Sequence, residues 1–162
     1  SIVVLTVPLT AQVDTLKSIR AHLQRGAVLI DTTVPLEKAV GGRLSRIIQL
    51  WDGSAAEQAE RYVGKVVRVA AAFHSLDSAT LRDLNRDVDC DVLVTGNDRK
   101  VRAEVATLVE DIPCARAVDF GPLENSRYAE QAAALLITLN VRRKITGTGV
   151  RFTGLNSANK DS

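Results

Sequence analysis

Short runs of β-branched and aliphatic residues alternate with longer amphipathic stretches along the 162-residue chain. A near-continuous apolar run is typical of a strand buried on both faces, whereas apolar residues three or four positions apart indicate a helix with one buried side. The pattern predicts strands over 2–7, 27–32, 66–70, 90–95 and 115–119. Helices are predicted over 10–24, 54–64, 78–85, 99–110 and 124–139.

Several of the predicted helices carry recognisable signals at their ends. Ser54 and Glu57 have the spacing of a capping box, in which each side chain bonds the backbone N–H of the other residue. Thr10 and Asp98 are suitable caps for the first and fourth helices, and Gly26 is a suitable stop after the first. These signals support the helical interpretation of the amphipathic stretches.

Five strands alternating with five helices predict an α/β fold, doubly wound, with a mostly parallel sheet and helices on both faces. Residues 1–155 form this domain, and 156–162 are predicted to be a disordered polar tail. A long loop over 33–53 includes a predicted short strand over 47–50. Ligands of such folds bind beyond the carboxyl ends of the strands. The segments to consider are therefore 6–8, 32–35, 71–75, 95–98 and 120–122.

The chain begins directly with a predicted buried strand at Ser1 and contains no methionine. Complete domains usually have loosely held ends with a polar lead-in. This start predicts that the domain is incomplete at its N-terminus.

Composition and charge exclude several classes of function. Twenty-one basic against nineteen acidic residues leave a net charge of +2, and three Phe, two Tyr and one Trp offer few stacking platforms, so a nucleic-acid partner is not expected. No apolar run approaches the ~20 residues of a membrane span, and no signal-peptide pattern is present. Cys90 and Cys114 stand in unrelated segments. We therefore expect reduced, half-buried thiols, a cytoplasmic protein and no metal site.

A basic cluster near the C-terminus contains Arg142, Arg143, Lys144 and Arg151. Charge runs of this kind usually form a solvated surface. The alternative is a contact for an anionic ligand, and the residues alone leave both interpretations open.

No nucleophile–base pair, metal-binding motif or pair of carboxylates at a strand end stands out, so a bound cofactor would carry any chemistry. The nearest string to a dinucleotide fingerprint is 147–149, but Phe152 occupies the position of its third glycine and a helix precedes it. We interpret that string as a flexible loop. His74 follows a strand of small residues that would admit a flat ligand, and it is either a binding residue or an ordinary core or surface histidine.

Five strings at strand ends carry a resemblance to a known family. They are 5–8 (LTVP), 31–36 (DTTVPL), 72–74 (AFH), 94–98 (VTGND) and 119–127 (DFGPLENSR). Taken in this order, they resemble the F420-dependent NADP oxidoreductases, whose Rossmann-like fold is shared more loosely with the oxidoreductase domain of metalloreductases. The resemblance covers residues 1 to about 155. The end of the last string, 125–127, is expected to serve packing.

The resemblance implies hydride transfer between the nicotinamide of NADP and the deazaflavin ring of F420, held face to face. It assigns Thr6, Val7 and Pro8 to the nicotinamide side, Val34 and Pro35 to the deazaflavin, His74 and Ser75 to the edge of the rings, and Val94 to an apolar position near the transfer site. His74, the catalytic candidate, would hold the ring spacing by hydrogen bonds without acting as an obligatory acid or base.

In the family, a strand, a glycine-rich turn and a helix precede the part that corresponds to Ser1, so ~60 residues or more are expected upstream. The isolated chain is accordingly expected to lack the glycine-rich NADP-binding half. The family makes a homodimer plausible, with the last helix as the contact. Two alternatives remain: a non-catalytic Rossmann-like binding module, and a nicotinamide-dependent reductase that uses a flavin or a metal instead of F420.

Overall fold

The computed structural model describes residues 1–155, and the predicted polar tail at 156–162 lies outside the described residues. The strands are β1 (Ile2–Leu5), β2 (Val28–Asp31), β3 (Arg68–Ala71), β4 (Cys90–Gly96) and β5 (Ala115–Asp119). The helices are α1 (Leu9–Ile19), α2 (Ala55–Val63), α3 (Ser78–Arg82), α4 (Arg99–Glu110) and α5 (Ser126–Arg143), with 3₁₀ helices at Glu37–Val40 and Leu123–Asn125.

The five strands form one sheet in the order β1-β2-β3-β4-β5. The pairs β1–β2, β2–β3 and β4–β5 are parallel, and β3–β4 is antiparallel. The prediction of a mostly parallel sheet is therefore confirmed.

The antiparallel pair corrects one expectation about the strand ends. Segments 95–98 and 120–122 were expected beyond the same strand ends as the other segments, but β4 and β5 run in the opposite direction. Thr95 pairs with Ala71 at the end of β3 and Gly96 pairs with Ala70, so these segments start level with the end of β3 and run back toward its beginning. The reason is the connection from β3 to β4, which contains only the five-residue α3. A parallel neighbour needs a crossover connection, usually a full helix, whereas an antiparallel neighbour can start at the edge where its predecessor ends.

The boundaries of α1 and the structure of the loop after β2 differ from the sequence pattern. Helix α1 begins after Pro8, which has the φ of −61° set by its ring, so Thr10 is not its cap; the helix also ends at Ile19 instead of near residue 24. The predicted strand over 47–50 is a single antiparallel bridge between Leu36 and Ile47. The capping box is confirmed, since Ser54 accepts from the backbone N–H of Glu57 at 3.1 Å.

The core lies on both faces of the sheet. On one face, α4 packs its buried valines against residues that include Val28, Ile30 and Val94. On the other face, α1 and α2 cover residues that include Leu5 and Leu29. No helix within residues 1–155 is long and apolar enough to cross a membrane. Of the cysteines, Cys90 is buried and Cys114 is exposed, and both are free as predicted.

The segment that follows α5 is anchored to the fully buried carboxylate of Asp91. Arg116 donates to Asp91 at 2.5 and 2.8 Å, Arg151 at 2.8 Å, and the backbone N–H of Phe152 at 2.7 Å. The backbone N–H of Asp91 in turn donates to the carbonyl of Val150 at 2.7 Å. Burial alone would raise the pKa of the Asp91 carboxyl, but these hydrogen bonds outweigh it and lower the pKa to about 2. Because Arg151 is held in this way, it belongs to the anchor of the segment rather than to a free basic surface.

We predict that Asp91→Asn lowers the free energy of unfolding at pH 7 by about 1.5–3 kcal/mol, because hydrogen bonds to a charged group are lost. A depressed native pKa contributes stability above the unfolded-state value near 3.8, and this contribution disappears as the pH falls toward 2. The difference between the wild type and the variant should therefore shrink over that range. Urea denaturation followed by circular dichroism measures both effects.

Glu104→Gln is the matched control, since it removes an exposed ion pair with Arg68 and should change stability by less than about 1 kcal/mol. Equal losses in the two variants, or a constant difference down to pH 2, would contradict the anchoring role of Asp91.

Candidate functional site

The carboxyl ends of β1, β2 and β3 lie side by side at one edge of the sheet. Leu5 pairs with Asp31, which pairs with Ala71. The segments 6–8, 32–35 and 72–75 therefore leave the sheet at the same level. This edge, formed by the ends of β1, β2 and β3, is called the carboxyl edge below.

Hydrogen bonds tie these three segments together. Thr32 donates twice to the carbonyl of Leu5, from its backbone N–H at 3.2 Å and from Oγ1 at 3.0 Å. The backbone N–H of Ala72 donates to the carbonyl of Asp31 at 3.3 Å. The carboxyl edge is thus held together by direct bonds in addition to the sheet ladder.

Seven of the eight predicted site residues follow the ends of β1, β2 and β3, with different exposure. Thr6 and Pro8 are exposed, Val7 and Val34 are half-buried, and Pro35 is buried. The loop that follows covers Pro35, because the backbone N–H of Ile48 donates to the Pro35 carbonyl at 2.6 Å. The carboxyl edge is therefore exposed to solvent after β1, which we call its open side. After β2 the loop buries it at Pro35, which we call its floor.

The same loop carries Trp51, whose side chain is fully exposed. Its neighbour Asp52 pairs with Arg61 of α2 at 2.8 Å, which holds the end of the loop against the helix. The exposed position of Trp51 is thus fixed by ordered neighbours on both sides.

His74 lies at the edge but does not face the open side. Both of its ring nitrogens are buried and have no hydrogen-bond partner within residues 1–155. His74 also lines a cavity of about 10 Å³, the size of a single water, together with residues that include Leu93, Ala129 and Val150. Burial lowers the pKa of His74 to about 4, so the ring is neutral at physiological pH. The residue before it, Phe73, has a φ of +67°, an uncommon value for a bulky side chain.

Ser75 and Val94 are placed differently from the open edge. Ser75 donates its hydroxyl to the backbone carbonyl of Asp91 at 2.9 Å, so the hydroxyl is already used. Val94 is fully buried in the core beneath α4, on the strand that runs in the opposite direction. Val94 directly precedes Thr95, which pairs with Ala71 at the end of β3, so Val94 is level with the carboxyl edge while its side chain lies in the core.

The end of the last family string serves packing, as predicted. Ser126 is fully buried, and its hydroxyl oxygen lies 2.6 Å from the Leu123 carbonyl and 2.9 Å from Ser54 Oγ, within hydrogen-bond distance of both. Arg127 pairs with Glu57 at 3.2 Å. These contacts fix the start of α5 against the start of α2.

A buried polar cluster behind the carboxyl edge was missed by sequence reasoning. Asp31 Oδ1 accepts from Gln12 Nε2 at 3.1 Å and from Thr33 Oγ1 at 2.8 Å. Glu130 of α5 accepts from the backbone N–H of Ala55 at 2.9 Å. The available signal was a lone carboxylate inside each apolar run, but nothing in the spacing indicated that the two runs meet.

Similar proteins were found by sequence. The F420-dependent NADP reductase of Methanothermobacter thermautotrophicus is 46% identical over 155 residues, which are 95% of this chain and 66% of that protein. Its counterpart in Methanothermobacter marburgensis is 44% identical over 155 residues, which are 69% of that protein. The reductase of Methanocaldococcus jannaschii is 38% identical over 154 residues and 68% covered. The chain thus spans about two thirds of the length of these curated relatives.

Solved structures with the same architecture support the fold. A putative F420-dependent NADP reductase from an Arthrobacter species superposes with a TM-score of 0.81 at 24% identity, over 93% of this chain and 68% of that one. A hypothetical protein from Sinorhizobium meliloti gives a TM-score of 0.56 at 22% identity, over 77% and 58% of the two chains. Because both structures are less than 25% identical to this chain, the likeness bears on the fold alone. It confirms the prediction of a Rossmann-like α/β fold.

No protein-family model matches the chain. The relatives nevertheless share 38–46% of their residues with it over 95% of its length, and two of them are covered over more than two thirds of their own length. The chain belongs to the F420-dependent NADP reductase family.

Proposed function

We propose that the complete protein transfers a hydride between NADP(H) and the deazaflavin coenzyme F420. The observation that carries the proposal is the 38–46% identity, over 95% of the chain, with three F420-dependent NADP reductases. The common edge formed by the ends of β1, β2 and β3 supports it, because it gives one place where two flat rings could meet.

In this proposal the nicotinamide lies against Thr6, Val7 and Pro8, and the deazaflavin lies against Val34 and Pro35. The exposure of Thr6 and Pro8 suits a ring that approaches from the open side. The buried Pro35, with its carbonyl bonded by the loop, suits a rigid floor. Proline also has a fixed φ, so this surface loses little conformational freedom when a ring binds.

When both cofactors are bound, they supply the hydride donor and the hydride acceptor. The contribution of the protein is to hold the reacting atoms close together and aligned, which accounts for much of the acceleration in such reactions. The apolar side chains of Val7 and Val34 exclude water beside the rings, and the small Ala72 leaves space at the strand end. No side chain of the chain needs to take up or release a proton in the transfer.

In this proposal the 162 residues supply contacts to the two rings. They do not supply the glycine-rich turn that holds the pyrophosphate of NADP, because no G-x-G-x-x-G string follows a strand. The string at 147–149 lies after α5 and packs near Thr80, Arg86 and Cys90. These contacts support its interpretation as a connecting loop.

His74 can contact a bound cofactor only if the segment around Val150, which buries it, moves away. His74 and Val150 line the same small cavity, and the Asp91 anchor holds Val150 in place. Their lack of partners is costly in a closed protein. It supports a role in which one ring nitrogen hydrogen-bonds a polar edge of a cofactor and holds the spacing of the rings. The same proposal leaves Ser75 as the residue that positions His74, since the Ser75 hydroxyl is bonded to β4.

The proposal also places the protein in the cytoplasm and gives it no nucleic-acid partner. It further assigns the exposed residues Arg142, Arg143 and Lys144 to contact with the anionic tail of F420. For the last point a solvated basic surface is the alternative, and it would leave F420 affinity unchanged when these charges are removed.

The proposed assembly is a homodimer through α5. Tyr128, Leu135 and Leu139 are 54%, 58% and 40% exposed, and a groove of about 490 Å³ separates this helix from residues 45–49. Exposed apolar surface beside such a groove is typical of an interface.

The reductase activity is tested by assaying the protein expressed from its complete gene. NADPH is mixed with F420 and the F420 absorbance is followed, with a flavin in place of F420 in a parallel reaction. Loss of F420 absorbance that depends on NADPH is the expected result. Transfer to the flavin alone would favour the flavin-dependent alternative, and no transfer to either would favour the non-catalytic module; both outcomes overturn the proposal.

We expect His74→Ala to slow single-turnover hydride transfer by about 10- to 100-fold, because the ring spacing is no longer held. Its circular dichroism spectrum should match that of the wild type. His22→Ala, at an exposed position after α1, is the control and should keep the wild-type rate. An unchanged transfer rate in His74→Ala would remove His74 from the site.

Pro35→Gly should raise the KM for F420 more than the KM for NADPH, since the floor beneath the deazaflavin becomes flexible. Pro122→Gly makes the same change at an exposed position after β5 and should leave both constants near their wild-type values. Equal effects of Pro35→Gly on both constants would count against the assignment of Pro35 to the deazaflavin.

Leu135→Glu should convert the dimer to a monomer in sedimentation velocity, because a charge is placed in the apolar face of α5. Leu84→Glu, at a 92% exposed position in another part of the chain, should leave the mass unchanged. A monomeric wild type would exclude the proposed dimer.

A further inference from the structure

Two carboxyl side chains are buried where β2, α1, α2 and α5 meet. Asp31 is 0% exposed and Glu130 is 2% exposed. The ion pairs formed within residues 1–155 use other carboxylates, so no lysine or arginine neutralises either group. A buried carboxylate without a cation is unfavourable. Two such groups close together favour uptake of a proton by one of them.

Hydrogen bonds connect the two groups through Gln12 and Ala55. Gln12 Nε2 donates to Asp31 Oδ1 at 3.1 Å and to the Ala55 carbonyl at 2.9 Å, while the Ala55 N–H donates to Glu130 Oε1 at 2.9 Å. The orientation of the Gln12 amide is fixed because its oxygen accepts from Gln58 Nε2 at 2.7 Å. The two carboxyls therefore lie on either side of the first turn of α2, joined by neutral amides.

The partial positive charge at the first turn of α2 faces Glu130 and is too small to balance two buried carboxylates. The backbone N–H groups of Ala55 and Ala56 donate to the same oxygen of Glu130, at 2.9 and 3.4 Å. Helix N-termini carry about half a positive charge. On the other side, Asp31 Oδ2 is buried without a hydrogen-bond partner among the described residues.

The surrounding charges favour a proton on Glu130. Burial first and the nearby Asp31 carboxylate second raise the pKa of Glu130 to about 8, against the lowering effect of the backbone donors of Ala56 and Ala55. Burial also raises the pKa of Asp31, to about 6. Glu57, which is paired with Arg127 and bonded to Ser54, also raises the pKa of Glu130. Helix α1 contributes only a neutral amide.

We propose that Asp31 and Glu130 hold one proton between them in the folded chain at neutral pH, with the proton on Glu130, and that both act as positioning residues for the turn at 33–35. The ionised Asp31 accepts from Thr33 Oγ1 at 2.8 Å and so fixes the residue directly before Val34. The protonated Glu130 lets α5 pack against α2 without a second buried charge. That this turn positions Val34 and Pro35 for the deazaflavin rests on the proposed function. The shared proton itself does not depend on that function.

Infrared spectroscopy of the 162-residue chain in D₂O, without any cofactor, tests the proton directly. At pH 7 we expect a carbonyl band of a protonated carboxylic acid, which disappears as the pH rises through about 8. The band should be absent from Glu130→Gln and retained in Glu124→Gln, an exposed position near the start of the same helix. Asp31→Asn should retain the band at lower pH and shift its midpoint downward, because the neighbouring charge is gone.

The unfolding free energy provides a second readout. A native pKa raised from 4.5 to about 8 stabilises the fold below pH 4.5, and this stabilisation is lost as the pH rises through about 8. Glu130→Gln mimics the protonated acid, so it should retain the stability of the wild type at low pH and remove this pH dependence. In the wild type, the amide chemical shifts of Thr33 and Ala55 should move with the same midpoint, and in Glu130→Gln they should not.

A wild-type chain without the acid band at pH 7, or an Asp31→Asn variant with an unchanged midpoint, would overturn the proposal. If Glu130→Gln does not fold, carbon-13 labelling of glutamate side chains in the wild type gives the protonation state of Glu130 by NMR and decides the question alone. These measurements use no cofactor. The shared proton can therefore be found in a protein without reductase activity, or be missing from an active reductase, and the two failures are distinguishable.

Discussion

Leu5, Asp31 and Ala71 lie side by side across three parallel strands, and this register is the constraint on which the candidate site depends. Since side chains alternate between the faces of a strand, a shift of one residue would move Asp31 from the α2 side of the sheet to the α4 side. Gln12 and the first turn of α2 would then lose their partner. The apolar residues that precede each strand end prevent such a shift, because they must fill the cores on both faces.

The sequence predicted the elements that depend on local signals. Strands β2 and β5 and helix α4 lie within one or two residues of their expected positions, and the capping box at Ser54 is present, since each reflects a pattern contained within a few neighbouring residues. The direction of β4 was not predicted. It depends on how far the chain travels between β3 and β4, and alternation of strands and helices does not reveal that distance.

The candidate site was predictable to a similar degree. Strand ends could be recognised from Pro8, Pro35 and the small residues before His74, so the carboxyl edge was expected from the sequence. The burial of the His74 nitrogens was not, because their cover includes Val150, which is distant in sequence and held there by the Asp91 anchor. Glu130 was missed for the same reason: its partners are backbone groups of another helix, which no side-chain pattern records.

The single tryptophan of the chain stands fully exposed in the loop beside α2. Its indole is in water before the protein unfolds as well as after, so its emission wavelength reports almost nothing about the cores above and below the sheet. The same indole would respond strongly to any molecule or subunit that covers the loop. Trp51 is thus a built-in fluorescent probe of association at this loop and a poor probe of folding.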